Sequence, residues 1–385
     1  MKHYFKKVFQ NPDYLVIISM LVIWKVLLFM VLVGSFEFLP LYAQQLLGGG
    51  YQNYSTNYYV LPWANFDGEH YLSIALSGYK QYQQAFFPLF PWLISILMNI
   101  FGDNVLGGAI SGLLITSICF PLALIFLYKL VRLDYSSKFA LGVILVLLLY
   151  PASFYFNAVY NESLFLMLIV LSFYFFRTKH FFWASIFGFF ASTTRVFGVL
   201  IFISFLIEVL VYRIPIKKAY WLFLIPFGLL SYMTYLYYSV GDPLAFYNLQ
   251  LIVGEQHQRG IVLLPQVIFR YLKMIFGTEA LNPLFTTILF ELAVGIVFSL
   301  LPLVGLFYRV RLSYLFFSIM GFILPTIQGS FSSLPRYVLI LFPSFIVLTL
   351  MIKKLPIPIK ILLAILSATL LIVEAAFFLR GYWVS

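Results

Sequence analysis

Long apolar runs leave this chain almost no means of covering a water-facing surface. Leu15 to Val33 carries one charge, Lys25, and Ile361 to Phe378 carries one, Glu374. Each run is long enough to cross a hydrocarbon core of about 30 Å at about 1.5 Å per residue. Only 10% of the residues are charged and 63% are hydrophobic, whereas soluble domains are about 25% charged. The runs are continuous and rich in Leu, Ile and Phe, without the alternation of barrel strands. The expected fold is therefore an all-α integral membrane bundle, one domain over residues 1–385 with about ten to twelve transmembrane helices.

Charge sets an expected topology. Lys and Arg gather at Lys2/Lys6/Lys7, Lys129/Arg132/Lys138, Arg177/Lys179, Arg213/Lys217/Lys218, Arg309/Arg311 and Lys353/Lys354/Lys360, sixteen of the 24 basic residues. Positive-inside reasoning places these clusters in the cytoplasm. The stretches between them then face the other way: 35–86 as a first outer loop carrying short helices, turns near 151–160, Arg195 and 328–335, and a second large loop over 240–282. Glu37, Asp67, Glu69, Asp103, Glu162, Asp242, Glu255 and Glu279 fall on or near that outer side. One segment conflicts with a simple count: 87–101 is apolar, yet residues before and after it both need to be outside. Pro88 and Pro91 suit a re-entrant or interfacial segment, and the alternative is a basic cluster that violates the rule.

The net charge of +11 does not point to nucleic acid, because the basic residues form short clusters between apolar runs. The single cysteine, Cys119, excludes an intrachain disulfide or a cysteine metal cluster. His3, His70, His180 and His257 are scattered, so no metal site is expected. The first apolar run ends in Phe36-Glu37-Phe38-Leu39-Pro40 without a small-residue cleavage site, as an uncleaved first helix would. Residues 42–60, with Gly48 to Gly50 and five tyrosines, suit an interfacial aromatic stretch. Asn53-Tyr54-Ser55 fits a glycosylation sequon, meaningful only in a eukaryote.

Four segments concentrate the remaining polar chemistry. Trp63-Ala64-Asn65-Phe66-Asp67-Gly68-Glu69-His70-Tyr71 places two acids and a histidine together. On a helix Asp67 would share a face with His70 and Tyr71. An acid beside an apolar interface is a better proton acceptor, because desolvation disfavours its ionised form; a solvated loop acid is the plain alternative. Glu162 opens an apolar helix after Tyr160-Asn161, where a carboxylate also suits the helix dipole. Arg195 interrupts the apolar stretch 181–212, and a break near Gly198 would bring it to the outer boundary. It faces either a cavity or the interface. Arg336-Tyr337 precedes another apolar run, where a guanidinium suits phosphate oxygens or simply anchors the interface. Loop 240–282 holds Glu255, Gln256, His257, Gln258 and Arg259, either a lid over the site or a soluble loop.

Taken together, these segments resemble the GPI mannosyltransferase 2 family, the PIG-V-like enzymes of GPI-anchor biosynthesis. The matching run is Phe66-Asp67-Gly68-Glu69-His70-Tyr71-Leu72 with Ile74-Ala75, Gly78-Tyr79 and Phe86-Phe87-Pro88 through Pro91. Further matches are Ala158, Tyr160 and Glu162 to Phe165, Thr194-Arg195 with Gly198, Gly241-Asp242-Pro243 with Phe246 and Gln250, and Arg336-Tyr337. The order holds from about residue 63 to 343. The chain departs from the pattern at Phe66, where a Trp is common, at Asn161, usually Ser or Thr, at Phe197, often Asn, and in its short soluble loops. These departures bear on the acceptor more than on the chemistry.

The resemblance implies a GT-C glycosyltransferase using a polyprenyl- or dolichyl-phosphate sugar, typically mannose, and a lipid-linked glycan acceptor. It implies an active site away from the cytoplasm, with Asp67 as the catalytic base. Glu69, His70, Glu162, Arg195, Arg336 and Tyr337 are then the substrate-binding set, and no metal or other cofactor is expected. The membrane would be the plasma membrane in a prokaryote and the endoplasmic reticulum in a eukaryote. Two other readings stay open: a GT-C enzyme with another sugar or acceptor, and a transporter or flippase for a lipid-linked sugar. Transporters commonly carry internal repeats and midplane charges, neither of which is evident here.

Overall fold

The computed structural model describes residues 12–42, 57–249, 262–278, 283–327 and 329–384. Lys2, His3, Lys6 and Lys7, the Gly48 to Gly50 stretch, the Asn53 sequon, Gln250, Glu255 to Arg259 and Glu279 lie outside the described residues. Those described form helices joined by turns, with no strand among them.

The helices of ten residues or more are α1 (Pro12–Phe38), α2 (Asp67–Ser77), α3 (Leu89–Phe101), α4 (Val105–Arg132), α5 (Ser137–Leu149), α6 (Glu162–Arg177) and α7 (Phe181–Ser192). They continue as α8 (Val199–Val211), α9 (Leu224–Val240), α10 (Leu264–Gly277), α11 (Pro283–Phe307), α12 (Leu312–Thr326), α13 (Phe342–Lys353) and α14 (Ile357–Leu379). Local chemistry sets several boundaries. Asn104 caps α4 by accepting from the Gly107 amide at 2.9 Å, satisfying a donor the first turn leaves free. Gly241, at φ 77°, ends α9 in a left-handed conformation that costs glycine little.

Among the described residues, five helical stretches are long and apolar enough to cross a membrane: α1, α4, Lys217–Val240, most of α11, and α14. A sixth arises if Leu334–Ile340 and α13, bent by 92° at Leu341, count as one broken span. The chain is a multi-pass helical membrane protein. Among the described residues these long stretches number fewer than the ten to twelve helices expected, because many apolar runs form helices of only 12–16 residues. At about 1.5 Å per residue, α5, α6, α7, α8, α12 and α13 extend about 18–24 Å, whereas α1 and α4 extend about 40 Å.

The short helices share one end. Arg177 bonds Asp134, and Arg311 bonds both Asp134 and Glu208. Lys354 lies over the Tyr308 ring at 4.6 Å, and Lys179, Lys217 and Lys218 line one surface hollow. Asp13 at the start of α1 accepts from Tyr128 and Ser137. The basic clusters within the described residues thus gather at one end of the bundle, which we call the basic end. The other ends of the short helices, at Leu149, Glu162, Ser192, Thr326 and Phe342, stop at turns inside the protein. Residues 151–156 and 158–163 are buried throughout. Those turns are tied to the middle of α1: Trp24 donates to Ser153 at 3.1 Å, and Lys25 to Asn157 at 2.7 Å and Ser117 at 3.1 Å. Lys25 is therefore satisfied by polar groups of neighbouring elements, as an intramembrane cation requires.

The segment 87–101, where the charge count conflicts, forms a short helix. Helix α3 has 13 residues, about 20 Å, too short to span. It starts beside the buried turns, where the Leu89 amide donates to the Thr193 carbonyl at 3.2 Å. It then runs beside the far half of α4, with Ile94 and Met98 against Gly108. Close packing of the turns needs bare backbone. A Cβ on Gly112 of α4 would sit 2.5 Å from Val159 Cγ1, so this glycine admits the turn that leads into Glu162.

Candidate functional site

Four charged side chains from four distant segments meet at the inner ends of the short helices. Asp67 opens α2 and Glu162 opens α6. Arg195 lies in the break between α7 and α8, just before the short turn Val196–Gly198. Arg336 sits in the one-turn helix Leu334–Tyr337. The break expected near Gly198 is present, and it places Arg195 inside the protein with its side chain 10% exposed.

The ion pairs form one chain. Arg336 Nη1 donates to Asp67 Oδ2 at 2.5 Å, and its Nε lies 3.6 Å from Glu162 Oε1. That second distance is an ion-pair contact, too long for a hydrogen bond. Arg195 Nη1 donates to the same Oε1 at 2.9 Å and to Asn161 Oδ1 at 3.3 Å. The Tyr337 ring faces both guanidiniums, 5.2 Å from Arg195 and 5.1 Å from Arg336. Tyr155 and Tyr160 pack over Arg336 as well. Aromatic faces attract cations most where water is excluded. Glu162 is almost fully buried, with its side chain 2% exposed. Such a carboxylate persists only with partners, and removing one typically costs about 3–5 kcal/mol.

Asp67 differs from the others. Its side chain is 32% exposed, and among the described residues its Oδ1 has no hydrogen-bond partner. Where the sequence puts this acid beside an apolar surface, the structure gives it an arginine partner and leaves it partly exposed. The backbone beneath it is held hard. Phe66 has φ 58°, an unfavourable conformation for a non-glycine residue that the surroundings must enforce. The Phe66 ring packs on Phe378 and Trp383, and buried Asn65 donates to the Phe378 carbonyl at 2.8 Å. Tyr160 completes the clamp: its hydroxyl accepts from the Asp67 amide at 3.1 Å and donates to the Asn65 carbonyl at 2.8 Å.

Of the remaining residues expected at the site, Tyr337 joins the group and brings its hydroxyl to 3.4 Å from Arg336 Nη2. Glu69 is half-buried in the same first turn as Asp67. His70 is exposed and stacks on the Phe86 ring at 4.7 Å, outside the chain of ion pairs. Three residues that bind the site together, Asn65, Tyr160 and Asn161, lay inside the segments quoted from the sequence but carried no assigned role. A buried polar residue beside a scarce charge was the available signal.

Two polar atoms of the group are buried without a hydrogen bond: Glu162 Oε2 and Arg336 Nε. Those two atoms are enclosed, whereas Asp67 Oδ1 belongs to a side chain that is 32% exposed. Such an arrangement can take a proton from a bound hydroxyl and hold an anion with the guanidiniums. No protein-family model and no curated protein matches this sequence.

Proposed function

We propose that this chain is a membrane-embedded GT-C-type glycosyltransferase, similar to the PIG-V-like mannosyltransferases. It would move a sugar, with mannose the first choice, from a polyprenyl- or dolichyl-phosphate donor to a lipid-linked glycan. The observation that carries this reading is the meeting of Asp67, Glu162, Arg195 and Arg336 at the end of the short helices away from the basic clusters. The resemblance drawn from the sequence named the same four segments. On positive-inside reasoning that side is extracytoplasmic, where polyprenyl-phosphate sugars serve such enzymes.

In the reaction, the acceptor hydroxyl oxygen attacks the anomeric carbon and its proton passes to Asp67 Oδ1. The bond from that carbon to the phosphate oxygen breaks, with inversion, and its electron pair leaves with the lipid phosphate. General-base help of this kind is worth about 10²- to 10⁴-fold. The charge gathering on the leaving phosphate falls to Arg336 and Arg195, whose preset positions cost no reorganisation. Glu162 holds both guanidiniums apart at fixed spacing. Tyr337, Glu69 and His70 line the approach for sugar hydroxyls, and the lipid chains lie along the apolar helix faces.

The test offers radiolabelled polyprenyl-phosphate mannose to membranes with and without this protein. Label appearing in a new lipid-linked glycan supports the reading. Label that only crosses the bilayer, with the donor intact, assigns a transporter instead.

A further inference from the structure

Arg336 reaches Asp67 from a turn, 329–333, that another part of the molecule holds by unusual means. Three successive amides of that turn donate to side chains instead of backbone. Phe331 N–H meets the Tyr271 hydroxyl at 3.1 Å, Ser332 N–H meets Ser330 Oγ at 3.0 Å, and Ser333 N–H meets Glu291 Oε1 at 3.0 Å. Tyr271 in turn donates to Glu291 Oε2 at 2.6 Å. Both oxygens of a buried acid on α11 and the hydroxyl of a buried tyrosine on α10 are thus committed to this turn and to each other. The conformation they hold is strained: Ser333 has φ 59°, in a region that non-glycine residues seldom occupy. Phe331 seats the turn on bare backbone, because a Cβ on Gly295 of α11 would lie 2.6 Å from its ring. Leu334–Tyr337 begins at the next residue.

We propose that Tyr271 and Glu291 are positioning residues that set the direction from which Arg336 reaches Asp67. A helix end carrying polar groups at membrane depth needs satisfied amides, but ordinary capping would need one side chain, not two from separate helices. Strain held by such surroundings is found where a neighbouring group must be aimed. The effect is local. Arg195 enters the same site from the α7–α8 break and makes its hydrogen bonds to Glu162 and Asn161, sharing with Arg336 only Glu162 and the Tyr337 ring.

The proposal rests on the assignment of Arg336 to the site, and its test does not use turnover. A failure of sugar transfer and a failure of this proposal are therefore distinguishable. Purified protein is treated with phenylglyoxal, and modification of Arg336 and Arg195 is followed by peptide mass spectrometry. The two side chains are nearly equally covered, 8% and 10% exposed, so Arg195 is a matched control. Tyr271→Phe and Glu291→Leu should speed modification of Arg336 about tenfold by easing local opening, with Arg195 unchanged. Glu291→Gln, which keeps an acceptor for the Ser333 amide, should stay close to the unsubstituted protein. The proposal is overturned if Arg336 reacts no faster in Tyr271→Phe and Glu291→Leu, or if Arg195 quickens in step with it.

Discussion

The molecule holds two clusters of two acids and two arginines, one at each end of its short helices, and they are built differently. At the basic end, all four carboxylate oxygens are engaged. Arg177 grips Asp134 with two bonds of 2.7 and 2.8 Å. Arg311 and Ser313 share Glu208, and Arg177 also donates to Tyr314 at 2.9 Å. A cleft lined in part by Glu208, Tyr212, Arg309 and Arg311 borders this cluster, and its acid, Glu208, has both oxygens engaged. At the other end, among the described residues, Asp67 Oδ1 and Glu162 Oε2 take no hydrogen bond and Arg336 Nε gives none. A closed cluster ties helices together. An open one, held in place by a strained Phe66 and a web of tyrosines, is ready to bind.

The largest test of that contrast is Asp67→Asn. Transfer should fall about 10²- to 10⁴-fold with insertion and folding intact, measured with labelled donor. Asp134→Asn, in the closed cluster, should leave transfer nearly unchanged. Full transfer by purified Asp67→Asn would remove the base assignment. Next in size, Glu208→Leu leaves Arg311 only the 3.5 Å contact with Asp134 and takes the Ser313 acceptor away; it should cost about 1–3 kcal/mol of stability, read by thermal unfolding in detergent. An equal loss of transfer at matched folded protein would show that the basic end is no mere tie.

Tyr160→Phe should be milder. It removes the hydroxyl between the Asp67 amide and the Asn65 carbonyl, worth about 1 kcal/mol. Transfer should drop up to about tenfold while the melting temperature moves little. The smallest effect is a pH dependence at Asp134. Burial works against its ionisation, but the Arg177 hydrogen bond and the Arg177 and Arg311 charges outweigh that and lower its pKa below the usual 3.8. The stabilisation is thus fully present above about pH 4 and is lost as pH falls through the lowered value. The stability gap between the unsubstituted protein and Asp134→Asn should be flat from about pH 5 to 8 and narrow in stronger acid. A gap that widens in acid would reverse the sign.

The sequence by itself determined that the chain is a helical membrane protein, because apolar runs and scarce charges are local properties that need no partner to be read. It also separated the basic clusters from Asp67, Glu162 and their neighbours, and the rarity of charge made Arg195 and Arg336 visible. It did not tell which arginine meets which acid. Asp67 and Arg336 are 269 positions apart, and no periodicity carries such a pairing. Nor did it tell where a broken run ends: the interruption of 181–212 at Arg195 was legible, but the sequence set Arg195 at the outer boundary, and only tertiary packing buries it between helices of 12 and 13 residues. Of the closed cluster, Arg177 and Arg311 counted in the sequence only as topology charges, and Asp134 and Glu208 not at all. Its members looked like ordinary flanking charges until tertiary contacts brought them within bonding distance. Residue type and order are written in the chain, whereas the geometry that leaves one carboxylate open and closes another arises only when distant helices pack.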